Sequence, residues 1–414
     1  MQTNLADWIK DTPEGQEADS ILRKCVHCGF CLATCPTYNL LGDELDSPRG
    51  RIYLIKQVLE GAEVTQKTQL HLDRCLTCRA CETTCPSGVQ YGRLVDIGRE
   101  QVEKKVKRGL GQRIQRSILK RALPSTALFS AGLTIGRAMK ALLPSVLAKK
   151  IPASRAAGSR PLLRHARNML VLEGCVQPAL APSINAAAAR VLDRLDISLI
   201  AAPNAGCCGA IPHHLNDMTE SHLFIKRNID AWWPYVEAGA EAIVVTASGC
   251  GTMVAEYGHI LRHDAAYAEK AMRISSMFRD VSQVIAGESG RLSAMLAAKR
   301  LVPVKVAFHS PCSLQHGLKI KGVVESLLRD AGCDLTVVPD GHLCCGSAGT
   351  YSLLQPELSQ QLLANKVKAL ESGAPGVVVT ANIGCLVHIE AGLRASADLP
   401  IRHWIELIDE RLAG

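Results

Sequence analysis

One stretch of this chain occurs twice. Cys25-Val-His-Cys28-Gly-Phe-Cys31-Leu-Ala-Thr-Cys35-Pro36 recurs as Cys75-Leu-Thr-Cys78-Arg-Ala-Cys81-Glu-Thr-Thr-Cys85-Pro86, so both copies read C-x2-C-x2-C-x3-C-P. Three thiolates at this spacing wrap three corners of an iron–sulfur cube, and proline stiffens the turn after the fourth cysteine. In two-cluster proteins of this kind each run lends its fourth cysteine to the other cluster. That assigns one [4Fe–4S] cluster to Cys25, Cys28, Cys31 and Cys85, and a second to Cys75, Cys78, Cys81 and Cys35. Closure of each cluster within its own run uses the same eight residues. Zinc sites instead pair two short cysteine knuckles, or cysteine with histidine. Disulfides are disfavoured by 17 cysteines in a long chain with no secretory signal at Met1–Lys10.

A chain of 414 residues has room for two or three domains, each burying its own core. Aromatic residues make up only 4%, a poor basis for stacking on nucleic-acid bases. The cysteine content implies a reducing compartment, the cytoplasm or its membrane face. No run of eighteen apolar residues offers a transmembrane helix. Charge is unevenly placed. Residues 101–167 hold 16 Lys/Arg against one acid, Glu103, a surplus of +15, while the whole chain carries +8. The rest is therefore about −7 by subtraction. No motif or aromatic platform accompanies the basic stretch, so nucleic acid is not an expected partner. It reads either as a solvated helical connector or as a surface for acidic phospholipid or an acidic partner.

Helical spacing links Leu5, Trp8 and Ile9, then Ala18, Ile21 and Leu22, ahead of the first run. Ser47-Pro48-Arg49-Gly50-Arg51 opens a helix expected over Ile52–Glu60, with serine as N-cap and proline at the first turn. Leu94–Val106 is expected to be helical. In the basic region Ile114, Ile118, Leu128, Leu133, Ile135, Met139, Leu142, Leu143 and Leu147 make patchy amphipathic helices, broken at Pro124, Pro144 and Pro152. Ser154–Arg160 reads as an exposed linker.

From Asn168 short β-rich runs alternate with helices, as in parallel α/β layers. Strands are expected at Met169–Leu172, Ile197–Ala201, Ala242–Thr246, Val304–Phe308, Leu335–Val338 and Val377–Thr380. Helices are expected at Ile184–Leu195, Thr219–Val236, Val323–Ala331 and Pro356–Glu371, with a helix-rich spacer at Ala255–Ala298. Cysteines repeat with this pattern. Cys175, the pair Cys207-Cys208 before Gly209, and Cys250 match Cys312, the pair Cys344-Cys345 before Gly346, and Cys385. Core packing alone does not call for twin Cys-Cys-Gly loops, so a metal or redox role is expected for these eight. Cys333, outside the repeat, reads as a small buried hydrophobe at a helix end.

Together these residues resemble the glycolate oxidase iron–sulfur subunit family over nearly the whole chain, and the Ser47–Ile52 segment is similar as well. Wider likeness extends to the cysteine-rich subunits of heterodisulfide reductase, lactate-oxidising complexes and anaerobic glycerol-3-phosphate dehydrogenase. The resemblance implies a multidomain protein. An all-α helical ferredoxin domain (1–106) and a basic helical linker (107–167) would precede two repeated α/β cysteine-rich domains with short parallel sheets (168–298 and 299–414). It also implies FAD-containing partner subunits of a hetero-oligomeric complex that oxidise glycolate to glyoxylate. This chain would pass the electrons onward to quinone, from a peripheral position on the inner face of the cytoplasmic membrane.

No Gly-x-Gly-x-x-Gly opens a βαβ unit here, which places flavin and substrate on the partner. One departure stands out. The widest family pattern closes each repeat with C-x-x-C, whereas this chain has Met253 and His388 at those positions. The four cysteines left in each repeat still suffice for a further iron–sulfur centre. His388 could add an imidazole ligand, and His309 and His316 flank Cys312. The competing readings are an electron-transfer subunit for D-lactate or glycerol-3-phosphate oxidation, a heterodisulfide-reductase-like thiol/disulfide enzyme, and a non-catalytic assembly module.

Overall fold

Helix starts near the N-terminus are written as a capping residue followed by proline. Thr12 Oγ1 accepts from the Gly15 N–H at 3.0 Å and Ser47 Oγ from the Gly50 N–H at 2.9 Å. Pro13 and Pro48 occupy the first helical positions, where no N–H is needed. The results are α1 (Pro13–Lys24) and α3 (Pro48–Leu59). The proline closing the first cysteine run likewise opens α2 (Pro36–Leu41). Then come α4 (Gln66–Asp73), α5 (Ala80–Thr84), α6 (Tyr91–Lys105), α7 (Leu110–Ala122) and α8 (Thr126–Ala138). Ile21, Leu22, Ile52, Ile55, Leu59, Leu94 and Val95 form one buried core among them. The expected N-terminal helix is shorter than its apolar pattern. Ile9 is buried, but it lies in the turn ahead of α1.

The computed structural model describes residues 1–140, 152–162, 165–396 and 399–413. The apolar positions Leu142, Leu143 and Leu147 and the break at Pro144 lie outside the described residues. By internal packing the chain divides into two compact units. The first comprises Met1–Ser117, His214–Asn216 and His342–Lys366, and the second Ile118–His213, Asp217–Gly341 and Val367–Gly414. Among the described residues no helix is long and apolar enough to cross a membrane.

The second unit holds two four-stranded parallel sheets with matching topology. Strands β1 (Arg167–Val171), β2 (Ile197–Ala201), β3 (Ile243–Val245) and β4 (Phe278–Asp280) lie in the order 2-1-3-4. Strands β5 (Val304–His309), β6 (Cys333–Leu335), β7 (Val377–Thr380) and β8 (Ile401–His403) lie in the order 6-5-7-8. Both orders reverse direction between the central pair, β1 and β3 or β5 and β7. Such a switch leaves an open crevice at the carboxyl ends of the strands. The fourth strand of each sheet was not among the expected strands, and β6 starts two residues earlier than expected. Gly332, with φ +74°, turns the chain so that Cys333 pairs with Val304 as the first residue of β6. Cys333 is thus a buried strand residue instead of a helix terminus.

The two sheets dock through polar contacts. The Ser248 N–H donates to the Ala381 carbonyl at 3.2 Å, and the Ser248 and Ser313 hydroxyls lie 2.7 Å apart. Arg190 and Arg194 both reach the Asp409 carboxylate, at 2.8 and 2.9 Å.

The basic stretch is neutralised more than its composition suggests. Arg108 bonds both Asp73 and Glu103, Lys120 meets Asp217 at 2.7 Å, and Arg155 meets Glu390 at 3.1 Å. Arg167 pairs with Glu241 and Glu288. Part of the acid surplus elsewhere is therefore spent on this segment. Neither α7 nor α8 contains a buried residue, and Leu110, Ile114, Ile118, Leu128 and Ile135 are exposed.

Candidate metal centres

The segment Ser47–Arg51 is built residue by residue. Ser47 caps α3 and Arg49 Nε donates to Glu44 Oε1 at 2.7 Å. A Cβ at Gly50 would overlap the Glu44 backbone carbonyl, so only glycine lets the chain pass there. Arg51 is 1% exposed. Its guanidinium bonds the His71 carbonyl at 2.7 Å, Thr37 Oγ1 at 3.1 Å and Asp46 Oδ1 at 3.1 Å, and lies 4.0 Å from Cys35 Sγ.

This framework gathers the cysteines of both runs. Cys25, Cys28 and Cys31 of the first run line one open cavity of about 430 Å³ of empty space, and Cys85 of the second run lines it with them. Cys81 also touches its wall, whereas Cys35 does not. Cys35 sits beside Thr37 Oγ1 (3.3 Å) and Arg51. Around Cys75 Sγ converge the Thr77 N–H at 3.4 Å and the Tyr91 hydroxyl at 3.6 Å. Burial pushes the Cys81 thiol well up, and the nearby Cys78, Cys75 and Cys35 push it further. Burial, followed by Cys25, Cys28 and Cys35, pushes Cys31 up to about 11. A metal bound here would displace these protons to solvent, its positive charge offsetting the cost of burying the thiolates. Four sulfurs on one cavity wall, drawn from both runs, fit an iron–sulfur group.

The Cys-Cys-Gly loops share one local design. Gly209 and Gly346 have φ +87° and +91°, a conformation open to glycine. Each N–H points back at the first cysteine of its pair, Cys207 Sγ at 3.5 Å and Cys344 Sγ at 3.4 Å. Each carbonyl accepts from a fully buried serine, Ser221 Oγ at 3.0 Å and Ser359 Oγ at 2.8 Å. The sequence reading missed both serines, although their near-equal spacing from the glycines was there to find.

In the first repeat the sulfurs of Cys175, Cys207, Cys208 and Cys250 are neighbours in that order and act on one another's thiols. Cys175 and Cys250 open onto a smaller cavity at the carboxyl ends of β1 and β3. Met253 is buried in the hydrophobic core of this sheet and acts as packing. The cysteines of the second repeat divide between the units. In the second unit Cys312 follows β5 and Cys385 lies on the helix Ile383–Ser396, with His388 one turn further on. There His309 ends β5, and His316 lies in a π-helical turn at Ser313–Gly317; both are buried. In the first unit are Cys344 and Cys345, followed by Tyr351, whose hydroxyl donates to the Arg74 carbonyl, next to Cys75, at 3.1 Å.

The described family called 4Fe-4S dicluster domain matches residues 21–89, and the cysteine-rich domain family matches 169–255 and 306–390. The chain is 55% identical over 413 residues to the glycolate oxidase iron-sulfur subunit of Escherichia coli (strain K12), covering 100% of this chain and 99% of that one. It is 30% identical over 406 residues to the probable glycolate oxidase iron-sulfur subunit of Bacillus subtilis (strain 168), covering 90% and 89%. Lactate utilization protein A of Bacillus velezensis is 27% identical over 241 residues, 57% of this chain and 97% of that protein.

Proposed function

Because the chain belongs to the glycolate oxidase iron–sulfur subunit family, we propose that it relays electrons from FAD-containing partner subunits toward quinone at the inner face of the cytoplasmic membrane. Those partners oxidise glycolate to glyoxylate. As a member of the family it is an iron–sulfur electron-transfer subunit of a multi-subunit oxidoreductase. Glycolate is favoured over D-lactate because the likeness to the glycolate relative spans the whole chain, whereas the likeness to the lactate relative spans 57% of it.

The carrying observation is the cavity shared by Cys25, Cys28, Cys31 and Cys85. It supports the crossed assignment, with one [4Fe–4S] centre on those four and another on Cys35, Cys75, Cys78 and Cys81, both on an all-α domain (1–106). Such centres supply one-electron steps between a two-electron flavin and an acceptor. The chain's own residues hold the sulfurs in place, shield all but Cys28 at least in part, and set the charge around them. The thiol row Cys175–Cys207–Cys208–Cys250, buried up to the half-buried Cys250, supports a further metal centre in the first cysteine-rich domain (168–298). Cys312, Cys344, Cys345 and Cys385 are the corresponding set of the second (299–414). The exposed apolar positions on α7 and α8, within the basic linker (107–167), support contact with a membrane surface.

Anaerobic purification with iron and acid-labile sulfide counted per chain tests the cluster assignment. About eight irons load the ferredoxin domain alone, and distinctly more load the repeats. Zinc in place of iron overturns it. Full glycolate-to-quinone turnover by a complex assembled with Cys28→Ser would refute the relay.

A further inference from the structure

The two cysteine sets sit in unlike surroundings. Around the second run two arginines are buried, Arg51 at 1% exposure and Arg99 at 7%. Arg99 gives its hydrogen bonds to the Leu72 carbonyl at 2.8 Å, the Cys75 carbonyl at 2.6 Å and Thr77 Oγ1 at 2.9 Å, and none of these acceptors is a carboxylate. Arg51 shares its one carboxylate, Asp46, with Arg74, which reaches Asp46 Oδ2 at 2.8 Å. Arg51, Arg74 and Arg99 therefore stand against the buried Asp46 and the exposed Asp43, whose carboxylate lies within 4.8 Å of that of Asp46, and Arg99 reaches neither. Buried charge without a counter-charge is costly. Four thiolates around an iron–sulfur group supply the missing negative charge at this place. The Tyr91 hydroxyl and the Thr77 N–H add donors toward the Cys75 sulfur.

The first set lacks this environment. Among the described residues no donor from another residue reaches the sulfurs of Cys25, Cys28, Cys31 or Cys85, and Cys28 is exposed. Its cations are Arg49, partly exposed and already paired with Glu44, and the partly exposed Met1 ammonium, which donates to the Cys25 carbonyl at 2.9 Å, so solvent screens both. Reduction adds a negative charge, which nearby cations and sulfur-directed donors stabilise. Burial alone opposes it. At the second set full charges act through a low-dielectric interior, where they are weakly screened and outweigh burial.

We propose that Arg51 and Arg99, with Tyr91 and the Thr77 N–H, hold the reduction potential of the centre on Cys35, Cys75, Cys78 and Cys81 above that of the centre on Cys25, Cys28, Cys31 and Cys85. An electron accepted at the exposed Cys28 side then settles on the inner centre. This rests on the cluster assignment proposed above.

The test is an EPR-monitored potentiometric titration of the anaerobically purified full chain, with iron counted in every sample. Two separate potentials are expected, and Cys28→Ser should perturb the signal of the lower one. Tyr91→Phe should shift only the higher potential downward, changing the oxidised-to-reduced ratio at fixed potential by about tenfold, equivalent to ~59 mV for one electron. Arg99→Gln should shift it in the same direction, and Arg99→Lys, which keeps the charge, should restore most of it. If Arg99→Gln loses iron, Tyr91→Phe decides. Coincident potentials, a Cys28→Ser effect on the higher centre, or a Tyr91→Phe shift in the lower one overturns the inference while leaving the cluster assignment intact. A wild-type chain without iron overturns both.

Discussion

His403 and Asp280 occupy the same place in the two halves of the α/β region. Each ends the fourth strand of its sheet, and each caps the helix that follows. Asp280 Oδ1 accepts from the Ser282 N–H at 2.9 Å, and His403 Nδ1 accepts from the Ile405 N–H at 3.3 Å. The other side of each ring or carboxylate differs. His403 Nε2 donates to the Thr246 carbonyl at 2.9 Å, across the docked sheets. Asp280 Oδ2 meets no donor among the described residues.

Burial drives the two groups to opposite pH behaviour. It lowers His403 from 6.5 to about 4. The folded state therefore holds a neutral ring, and the stability this contributes is complete above pH 6.5 and lost as pH falls toward 4. The loss is on the order of 3 kcal/mol, at ~1.4 kcal/mol per pH unit of separation. In His403→Asn, urea midpoints should fall as pH rises from 4.5 to 6, the Asp280 slope that His403 offsets in wild type, and lie lower overall because the bond to Thr246 is gone. An unchanged slope would place the titration elsewhere.

Asp280 has the reverse sign. Burial raises it from 3.8 to about 6, so its contribution is complete below pH 3.8 and lost as pH rises through 6. Asp280→Asn keeps the cap acceptor and removes the charge. The variant should gain up to about 3 kcal/mol over wild type at pH 8 and nothing at pH 4. Because the two windows overlap with opposite slopes, wild-type stability should vary little from these groups between pH 4 and 6. Each single variant exposes the slope of the other.

The Cys-Cys-Gly glycines give a graded prediction. A Cβ at Gly346 would lie 2.7 Å from the Ser359 carbonyl oxygen, and one at Gly209 would lie 3.1 Å from that of Ser221. Both substitutions to alanine force a left-handed backbone, at about 1–3 kcal/mol. Gly346→Ala should therefore lower the denaturation midpoint more than Gly209→Ala does. Equal midpoints for the two variants would mean that backbone conformation alone, without the close approach, sets the cost.

Much of this is legible in the sequence itself. Ile197–Ala201, Pro356–Glu371 and Val377–Thr380 lie where their residue patterns put them. These elements are long or continuously apolar, so periodicity and β-branching suffice to find them. Strands β4 and β8 have three residues each, too few for a pattern, and they form because a neighbouring strand offers a ladder. Arg99 was missed for a different reason. An arginine on a helix reads as solvated surface, and only tertiary packing closes the carbonyls of Leu72 and Cys75 over it. The candidate cysteines needed no such help, because their spacing is itself the chemical signal.

The basic helices carry the last prediction. Ion pairs to Asp73, Asp217 and Glu390 tie Arg116, Lys120 and Arg155 to the protein, which weakens self-repulsion as an argument for an external partner. The apolar argument survives, because Leu128, Ile135 and Met139 on and just after α8 are all exposed. On this geometry attachment to a bilayer depends on apolar burial as well as charge. The chain should sediment with vesicles containing anionic lipid and stay in solution with purely zwitterionic ones, and the bound fraction should fall as salt rises. Leu128→Ser combined with Ile135→Ser should weaken binding at low salt by about tenfold or more, since each buried side chain contributes on the order of 1.5 kcal/mol. Binding that follows salt but ignores these two substitutions would make the contact purely electrostatic, and equal binding to both vesicle types would remove the basic region from it.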